Sequence, residues 1–414
     1  MPPATASSEA VRARVPSAVA ATAPAGERPR RVLKVVFGFD CAGGCSYCAL
    51  KKANGFVRAC RTRLDPAVAE SGILEAAAKY EITGLEVGAG ETFDQPGLWE
   101  WLLERNGRGL NVPVMAFTSG LSPHAPRVLD AMAASPAPVL LLFSYDGRRS
   151  ERNAGNWREV EAAFRAAKER LAGAPHVSLK LTACVTPGDA KRLKENLLSL
   201  LDLDGAPFAF RPVKRRFHDA QREEFVGQLA GFLDEAASRG VRLLEAPGEG
   251  EWRIGLKSDW TCHRLGVSLL PDGRFTDCYV AWYCSDFPTW RTLPSLEGLD
   301  RFFAGAEAPA PAPCGRCLDA FDLCNLCPAG LADFRRATGE AFYDTGFCRM
   351  VNRASLLLLD KALEARPGLE VRVRRGATET RIRREGGRVV LAGPSGSPPV
   401  AVDPRDPRSP LPVD

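Results

Sequence analysis

The chain has 414 residues, of which 45% are hydrophobic and 25% charged, and its formal net charge is +5. No apolar run approaches the ~20 residues that span a bilayer, so we expect no membrane partner. The basic excess lies at the ends, +3 in residues 1–32 and +4 in residues 361–414. Residues 33–360 therefore carry about −2, which excludes a nucleic-acid-binding body.

The first segment, residues 1–31, is dominated by Ala, Pro and Ser. It lacks the apolar core of a secretory signal, and its composition predicts a disordered leader. We expect a cytoplasmic protein. In such a chain, 13 cysteines favour metal ligation or redox chemistry over disulfides.

A repeated strand–helix pattern follows the leader. Residues 31–39 predict a strand that leads into the sequence CAGGCSYC, and residues 66–80 predict a helix capped by Asp65. Further strands are predicted at 84–90, 112–120, 138–147, 177–185 and 207–213, and further helices near 97–106, 124–134, 157–172, 190–202 and 219–239. Six such units predict an α/β fold over residues 32–240, a barrel or partial barrel with a parallel sheet inside its helices. Folds of this kind carry their chemistry on the loops after the strands.

Beyond residue 240 the pattern changes. Eight cysteines within residues 262–348 replace the alternation of strands and helices, which predicts a second domain over 241–360 that is held together by ligands. Alternating apolar and charged residues at 368–390 predict an exposed basic hairpin. The rest of the segment 361–414 is rich in Pro and predicts a disordered tail.

Three thiols, Cys41, Cys45 and Cys48, lie in the loop after the first strand. Iron–sulfur clusters are usually held by four cysteines, and a set of three leaves one iron open for a substrate or cofactor. Gly43 and Gly44 allow the backbone to approach an inorganic core closely. A zinc site and buried thiols are the alternatives that these residues leave open.

With Tyr47 before the third cysteine, this spacing resembles the signature of the radical S-adenosylmethionine (SAM) superfamily. The resemblance implies a partial (β/α)6 barrel, a 4Fe–4S cluster on Cys41, Cys45 and Cys48, and SAM bound to the open iron. One electron from the cluster cleaves SAM to methionine and a 5′-deoxyadenosyl radical, which abstracts a substrate hydrogen. The resemblance also places Tyr47 near the adenine and implies an external one-electron donor of the flavodoxin or ferredoxin type.

The second strand ends in the sequence GAGE, which contains Gly88, Gly90 and Glu91. This sequence resembles a Gly-Gly-Glu motif of the same superfamily, although Ala89 and Thr92 depart from the usual residues. The resemblance implies that Glu91 receives the amino group of the methionine moiety. Taken alone, the sequence also fits a strand-end turn with a solvated glutamate.

Two later strand ends carry further candidates for SAM binding. FTSG, which contains Ser119, resembles the Thr-Asn-Gly turn of the superfamily. FSYDG, which contains Ser144 and Asp146, resembles a Ser-Ile-Asp-Gly motif that reaches the ribose and the methionine carboxylate, and Arg152 follows it. Each of these residues also has an ordinary turn or helix-cap explanation.

The cysteines of the second set include paired C-x-x-C units, which taken alone predict a structural zinc site. Their arrangement also resembles the SPASM extension of radical SAM enzymes, which carries two auxiliary 4Fe–4S clusters. Relative to the SPASM pattern, one cysteine, Cys324, is displaced by a single residue. The resemblance implies one cluster on Cys314, Cys317, Cys324 and Cys348, and another on Cys262, Cys278, Cys284 and Cys327.

Auxiliary clusters of this kind accept an electron from a substrate radical or hold the substrate, and Asp277 and Tyr279 beside Cys278 are candidate bases. Enzymes with the SPASM extension mostly modify ribosomally made peptides, by thioethers, carbon–carbon crosslinks or side-chain oxidation, so we expect a peptide maturase. The first alternative is a radical dehydrogenase, epimerase or decarboxylase acting on a small molecule, an amino sugar or nucleoside, in natural-product biosynthesis. The second alternative is a non-catalytic zinc-binding interaction protein.

Overall fold

The protein forms two β-sheets with helices packed against them. The computed structural model describes residues 28–41, 45, 48, 63–205, 209–213, 216–241, 252–254, 266–276, 296, 317–319, 323–324, 346–375, 378–393, 398–406 and 408–411. In this part of the chain, none of the helices has both the length and the apolar character needed to cross a membrane.

Six strand–helix units build the larger sheet. Its strands are β1 Arg30–Val36, β2 Glu81–Gly88, β3 Val114–Thr118, β4 Val139–Ser144, β5 Val177–Val185 and β6 Ala209–Pro212. The helices are α1 Pro66–Lys79, α2 Pro96–Arg108, α3 Ala125–Ala134, α4 Trp157–Leu171, α5 Leu193–Asp204 and α6 Asp219–Ser238. Each element lies within a few residues of its predicted position, so the predicted α/β fold is confirmed.

These six strands are parallel and stand in the order of the sequence. Right-handed crossovers between successive parallel neighbours place all the helices on one face of the sheet. The first four strands end at nearly the same level, because Val36 is paired with Gly88, and Thr118 with Phe143, one residue before the end of β4. The loops that follow the strands therefore share one edge of the sheet.

Alternation along the strands separates two faces of this sheet. In β3 and β4 every second side chain is buried against the helices, Val114 and Leu141 among them, and the side chains between are half-buried. On the helix side, Asp65 accepts a hydrogen bond from the Ala67 N–H at 2.8 Å, and Pro66 opens α1. Capping and apolar periodicity, both readable from the sequence, thus fix where α1 starts and which side it buries.

Two short strands that were not predicted extend the first sheet beyond β1. The strand β8, Gly266–Leu269, pairs with β1 in parallel, and β9, Phe275–Thr276, pairs with β8 in antiparallel fashion. Val267 and Leu269 enter the core that the helices cover. A strand of four residues carries little periodic signal, and its partner lies at the start of the chain, so local sequence does not specify the pairing.

The second sheet lies in the C-terminal part of the chain. Its strands are β7 Trp252–Ile254, β10 Val371–Arg375, β11 Thr378–Glu385, β12 Arg388–Ala392 and β13 Val400–Val402, and the helix α7, Phe347–Glu364, covers one face of it. The predicted hairpin is the pair β10 and β11. It is not an exposed ribbon, because one of its faces packs Val373 and Ile382 against Leu359 of α7.

The prediction of a disordered C-terminal tail is wrong for residues 398–406 and 408–411. Val402 is fully buried on β13, and Arg405 forms an ion pair with Asp234 of α6 at 2.6 Å. Arg353 of α7 donates to the backbone carbonyls of Asp406 and Ser409. The proline content predicted disorder. The pairing of β13 with β12 and the hydrogen bonds of the buried Arg353 hold these residues in an ordered structure instead.

The predicted division at residues 241 and 361 stays a prediction, and two elements cross it. The segment 241–360 contributes β8 to the first sheet and β7 to the second. The helix α7 continues through residue 361. The segment 241–360 therefore shares a sheet with each of the neighbouring segments, and it shares the helix α7 with the segment 361–414.

The contacts of Arg353 predict how the C-terminal segment is held. Arg353→Met keeps the apolar stem but removes both carbonyl contacts, and we expect a loss of about 1.5–3 kcal/mol in the free energy of unfolding. Limited proteolysis should then cut the segment after residue 393 faster. Arg408→Met is the matched control, because the side chain of Arg408 is 90% exposed and contacts Asp406 locally. Equal cleavage of the two variants would contradict this role for Arg353.

Candidate active site

The cysteine loop follows β1 at the edge where the parallel strands end. Cys41 is exposed, Cys45 and Cys48 are half-buried, and none of the three forms a disulfide with another described cysteine. The Cys48 N–H donates to the Cys45 carbonyl at 3.3 Å, which closes a turn between the second and third thiols. The structure thus presents three thiols on one short loop.

Cys45 lies within electrostatic range of the loop after β4, although β2 and β3 lie between β1 and β4. Burial raises the pKa of the Cys45 thiol, Arg152 lowers it, and the charges of Asp146 and Cys48 raise it further. These groups are therefore close enough to act on one another's charge. Neighbouring strands lie about 4.8 Å apart, so the two loops must lean towards each other over the edge of the sheet.

Glu91 ties the end of β2 to the end of β3. Its Oε1 accepts hydrogen bonds from the Thr118 hydroxyl at 2.8 Å and the Phe93 N–H at 3.3 Å. Its Oε2 accepts from the N–H and the hydroxyl of Ser119, at 2.9 and 2.7 Å. A carboxylate offers about four lone-pair positions, and four donors occupy them here. Glu91 is buried in this arrangement, not solvated.

The turn before Glu91 depends on two residues in the left-handed region. Ala89 has φ 67° and Gly90 has φ 63°. A Cβ at Gly90 would collide with the carbonyl oxygen of Asp40, which also accepts the N–H of Glu91 at 2.9 Å. The backbone of the GAGE sequence therefore lies against the segment that enters the cysteine loop. Gly88, the first residue of this sequence, is the last residue of β2.

Asp146 continues the pairing between β4 and β5 beyond Ser144. Its Oδ1 accepts the N–H of Cys184 at 2.8 Å, and the Arg152 guanidinium lies 3.7 Å from the same oxygen. The Asp146 N–H donates to Oδ1 of Asn153 at 2.9 Å. Asp146 is buried and Arg152 largely so, which makes them a fixed pair beside Cys45.

The loop that carries Arg152 is anchored by residues that sequence reasoning missed. The Arg149 N–H donates to Oδ1 of Asn196 at 2.9 Å, and the Glu151 N–H donates to Oδ1 of Asp189 at 2.8 Å. Asn196 and Asp189 are buried, and burial raises the pKa of Asp189. The available signal was the TPGD sequence, which forms a capping box between Thr186 and Asp189 but does not reveal the loop that Asp189 contacts.

The face of the sheet opposite the helices, here called the open face, carries an ion pair that was also missed. Lys34 and Glu86 are register partners on β1 and β2, with Nζ 3.2 Å from Oε2, and their side chains are 14% and 11% exposed. The sequence signal for this ion pair was a charged residue inside each of two apolar strands, Lys34 in VLKVV and Glu86 in LEVG. Other half-buried side chains of the open face are those of Met115, Phe117, Leu142, Thr182 and Cys184.

Three cysteines of the second set lie among the described residues. Asp319 and Asn352 link them: the Asp319 N–H donates to Cys317 Sγ at 3.4 Å, and Asn352 Nδ2 donates to the Cys348 carbonyl at 2.7 Å. A carboxylate oxygen of Asp319 accepts the N–H of Cys324 at 2.7 Å. Three separate segments of the chain thus meet around these two side chains, and the predicted ligand set stays a prediction. The remaining predicted site residues lie outside the described residues, and they are Tyr47, Cys262, Asp277, Cys278, Tyr279, Cys284, Cys314 and Cys327.

Comparison with solved structures shows which fold this is. SuiB of Streptococcus suis, bound to the precursor peptide SuiA, superposes with a TM-score of 0.51 at 13% identity, over 73% of this chain and 73% of SuiB. The enzyme anSMEcpe with bound AdoMet superposes with a TM-score of 0.51 at 16% identity, over 78% of this chain and 100% of anSMEcpe. The chain shares the fold of SuiB and anSMEcpe, and the predicted radical SAM partial barrel is confirmed at the level of the fold. It matches no protein-family model, and no curated protein sequence matches it.

The donor set at the edge of this radical SAM fold fits an iron–sulfur cluster. A single zinc ion requires all its thiolates within about 2.3 Å of one point, whereas cysteines on separate irons of a cluster stand further apart. Among the described residues, no three Cys, His, Asp or Glu side chains are grouped to hold one ion. Cys41, Cys45 and Cys48 are three thiols on a single loop, which is the donor type that an iron–sulfur cluster takes.

The four donors to Glu91 predict a structural role at the edge of this fold. Glu91→Gln places an amide N–H₂ against N–H or hydroxyl donors, and we expect a loss of about 1.5–3 kcal/mol in the free energy of unfolding. Chemical denaturation of the apoprotein measures it. Glu81→Gln, at the exposed start of β2, is the matched control and should lie near the parent. A neutral Glu91→Gln would contradict the four-donor arrangement.

The backbone of the GAGE turn generates a prediction of opposite sign. An L-residue in the left-handed region costs ~1–2 kcal/mol, and glycine loses more chain entropy than alanine by roughly 0.5–1 kcal/mol. Ala89→Gly should therefore raise the free energy of unfolding by about 0.5–1 kcal/mol. Gly90→Ala should lower the free energy of unfolding by at least about 1 kcal/mol, because the new methyl group collides with the Asp40 carbonyl. Similar shifts at both positions would show that the turn has another conformation.

Proposed function

We propose that this protein is a radical SAM enzyme that reductively cleaves SAM and uses the resulting radical to abstract a substrate hydrogen. The observation that carries the proposal is that the cysteine loop, the buried Asp146 and its partner Arg152 all follow strand ends at one edge of a sheet whose fold matches that of SuiB. The edge holds thiols, a buried carboxylate and a guanidinium close together. Those are the groups that a cluster and an amino-acid-bearing cofactor require.

Each residue of the edge has a proposed part in holding the cofactors. Cys41, Cys45 and Cys48 hold a 4Fe–4S cluster and leave one iron for SAM. When bound, the cluster supplies the electron that splits SAM into methionine and a 5′-deoxyadenosyl radical. The backbone at Gly88 and Gly90 permits close approach of SAM, and Tyr47 contacts its adenine.

Glu91 and Arg152 are proposed to receive the two charged groups of the methionine moiety. All four lone-pair positions of Glu91 are in use, so an ammonium group must displace a donor. The Ser119 hydroxyl is the donor that rotates away at least cost, because a hydroxyl turns about one bond whereas backbone N–H groups are fixed. Arg152 then meets the carboxylate, and Asp146 and Ser144 reach the ribose.

A peptide is the proposed substrate, and its modification is the proposed outcome. SuiB was solved with a precursor peptide, and its fold covers most of this chain, which supports a peptide over a sugar or nucleoside. Cys262, Cys278, Cys284, Cys314, Cys317, Cys324, Cys327 and Cys348 are proposed to hold two auxiliary clusters that accept the electron from the substrate radical. Asp277 or Tyr279 takes the proton. A flavodoxin or ferredoxin supplies the first electron.

Anaerobic reconstitution tests the proposal directly. We expect about twelve irons per chain, and about eight in a variant with Cys41, Cys45 and Cys48 all changed to Ala. With dithionite and SAM, the parent should release 5′-deoxyadenosine, detected by chromatography, and the triple variant should release none. Cys184→Ala is the matched control, because Cys184 lies on β5 outside the cysteine loop, and it should keep both the iron and the product.

The outcomes separate the alternatives for this chain. About four irons together with zinc would confine redox chemistry to the first site and overturn the auxiliary clusters. Zinc without iron, and no 5′-deoxyadenosine, would overturn the enzymatic proposal and favour a zinc-binding interaction protein.

A further inference from the structure

The cysteines Cys317, Cys324 and Cys348 are brought together by two buried polar side chains. Asn352 is 0% exposed and Asp319 is 1% exposed. Burying an amide or a carboxylate costs free energy unless its hydrogen bonds are made. Each of the two side chains makes several, and each contacts the segments of two cysteines.

Asn352 lies one turn after Cys348 on α7 and uses both ends of its amide. Its Oδ1 accepts the N–H of Leu318, and its Nδ2 donates to the Cys348 carbonyl at 2.7 Å. The same Nδ2 lies 3.7 Å from Cys317 Sγ and donates to it. The amide therefore fixes the position of Cys317 relative to Cys348 and places an N–H against the sulfur.

Asp319 performs the matching task for Cys324. Its two oxygens accept the N–H groups of Leu323 at 3.1 Å and Cys324 at 2.7 Å, and its own N–H donates to Cys317 Sγ at 3.4 Å. The carboxylate folds the chain between Cys317 and Cys324 into a closed turn. It also brings a buried acidic group close to both cysteines.

We propose that Asn352 and Asp319 are positioning residues that hold Cys317, Cys324 and Cys348 as ligands of one auxiliary iron–sulfur cluster and shift its reduction potential in opposite directions. This rests on the proposed function, because the cluster itself is part of that proposal. Hydrogen bonds to cluster sulfurs and local charge are the means by which a protein sets cluster potential. An N–H donor favours the reduced, more negative cluster, whereas a carboxylate disfavours it.

The test is a redox titration of the reconstituted full-length protein, monitored by electron paramagnetic resonance. Asn352→Leu and Asn352→Asp remove the N–H donor, and both should move one cluster to a more negative potential. Asp319→Asn removes the carboxylate and should move the same cluster to a more positive potential. Ser355→Ala is the matched control on α7, because Ser355 donates to the Leu318 carbonyl whereas Asn352 donates to Cys317 Sγ, and it should leave every potential unchanged.

The signals of the other clusters serve as internal references. The cluster of Cys41, Cys45 and Cys48 is identified by its spectral change on adding SAM, and its potential should stay the same in all variants. Loss of about four irons from an Asn352 variant, but not from Ser355→Ala, would support the ligand-holding role. Unchanged iron and unchanged potentials would overturn the proposal while leaving the proposed function intact. A parent protein with only the SAM-responsive cluster would overturn both the positioning role and the auxiliary clusters. A parent protein that holds all its clusters but forms no 5′-deoxyadenosine would count against the proposed function alone.

Discussion

Two buried carboxylates continue the hydrogen bonding of the parallel sheet past the ends of its strands. Glu91 accepts the N–H of Ser119 after β3, and Asp146 accepts the N–H of Cys184 on β5. In both cases a side-chain oxygen stands where a neighbouring strand would have supplied a backbone carbonyl. The edge is thereby closed by acidic groups, and buried N–H donors remain satisfied without further strand.

This arrangement determines what the edge offers to a ligand. A carboxylate that is already hydrogen-bonded is held in one orientation, so little ordering is required when a ligand arrives. Asp146 also fixes Arg152, which approaches Cys45 from a strand three positions away in the sheet. The same bonds that end the sheet therefore collect positive charge, negative charge and thiol at one place. The oxygens of Glu91 are occupied by four donors, so a ligand that donates to Glu91 would have to replace one of them.

Much of the first sheet was predictable, because its information is local. Helices such as α1 carry a cap, a proline at the first position and an apolar period, and the strands end in short motifs with chemical meaning. The partners of Glu91 and Asp146 were not predictable, because they depend on register between strands. Thr118, Asn196 and Asp189 became part of the site only when the sheet placed them there.

The strands that were missed share a different property. β8 and β13 have four and three residues, and each is stable only through a partner distant in sequence. For such strands, tertiary contacts outweigh local preference. Proline in the C-terminal segment was read as a sign of disorder, although the order there comes from β12 and from Arg353 of α7.

The helix α7 explains why the auxiliary cysteines and the C-terminal sheet depend on each other. It is buried on two sides: Met350, Ala354 and Leu357 enter the larger core, whereas Leu356, Leu359 and Leu363 enter the core of the second sheet. The second side also carries Cys348, Asn352 and Ser355, whose spacing of four and three residues aligns them along the helix, and Asn352 and Ser355 bond to Leu318 of the same core. A helix packed on both flanks is restrained against rotation. Asn352 can therefore hold its hydrogen bond to Cys317 only as long as the second sheet and the larger core keep α7 in register. The strands β10 to β13, which carry none of the cysteines, thus contribute through packing alone to the relative positions of Cys317 and Cys348.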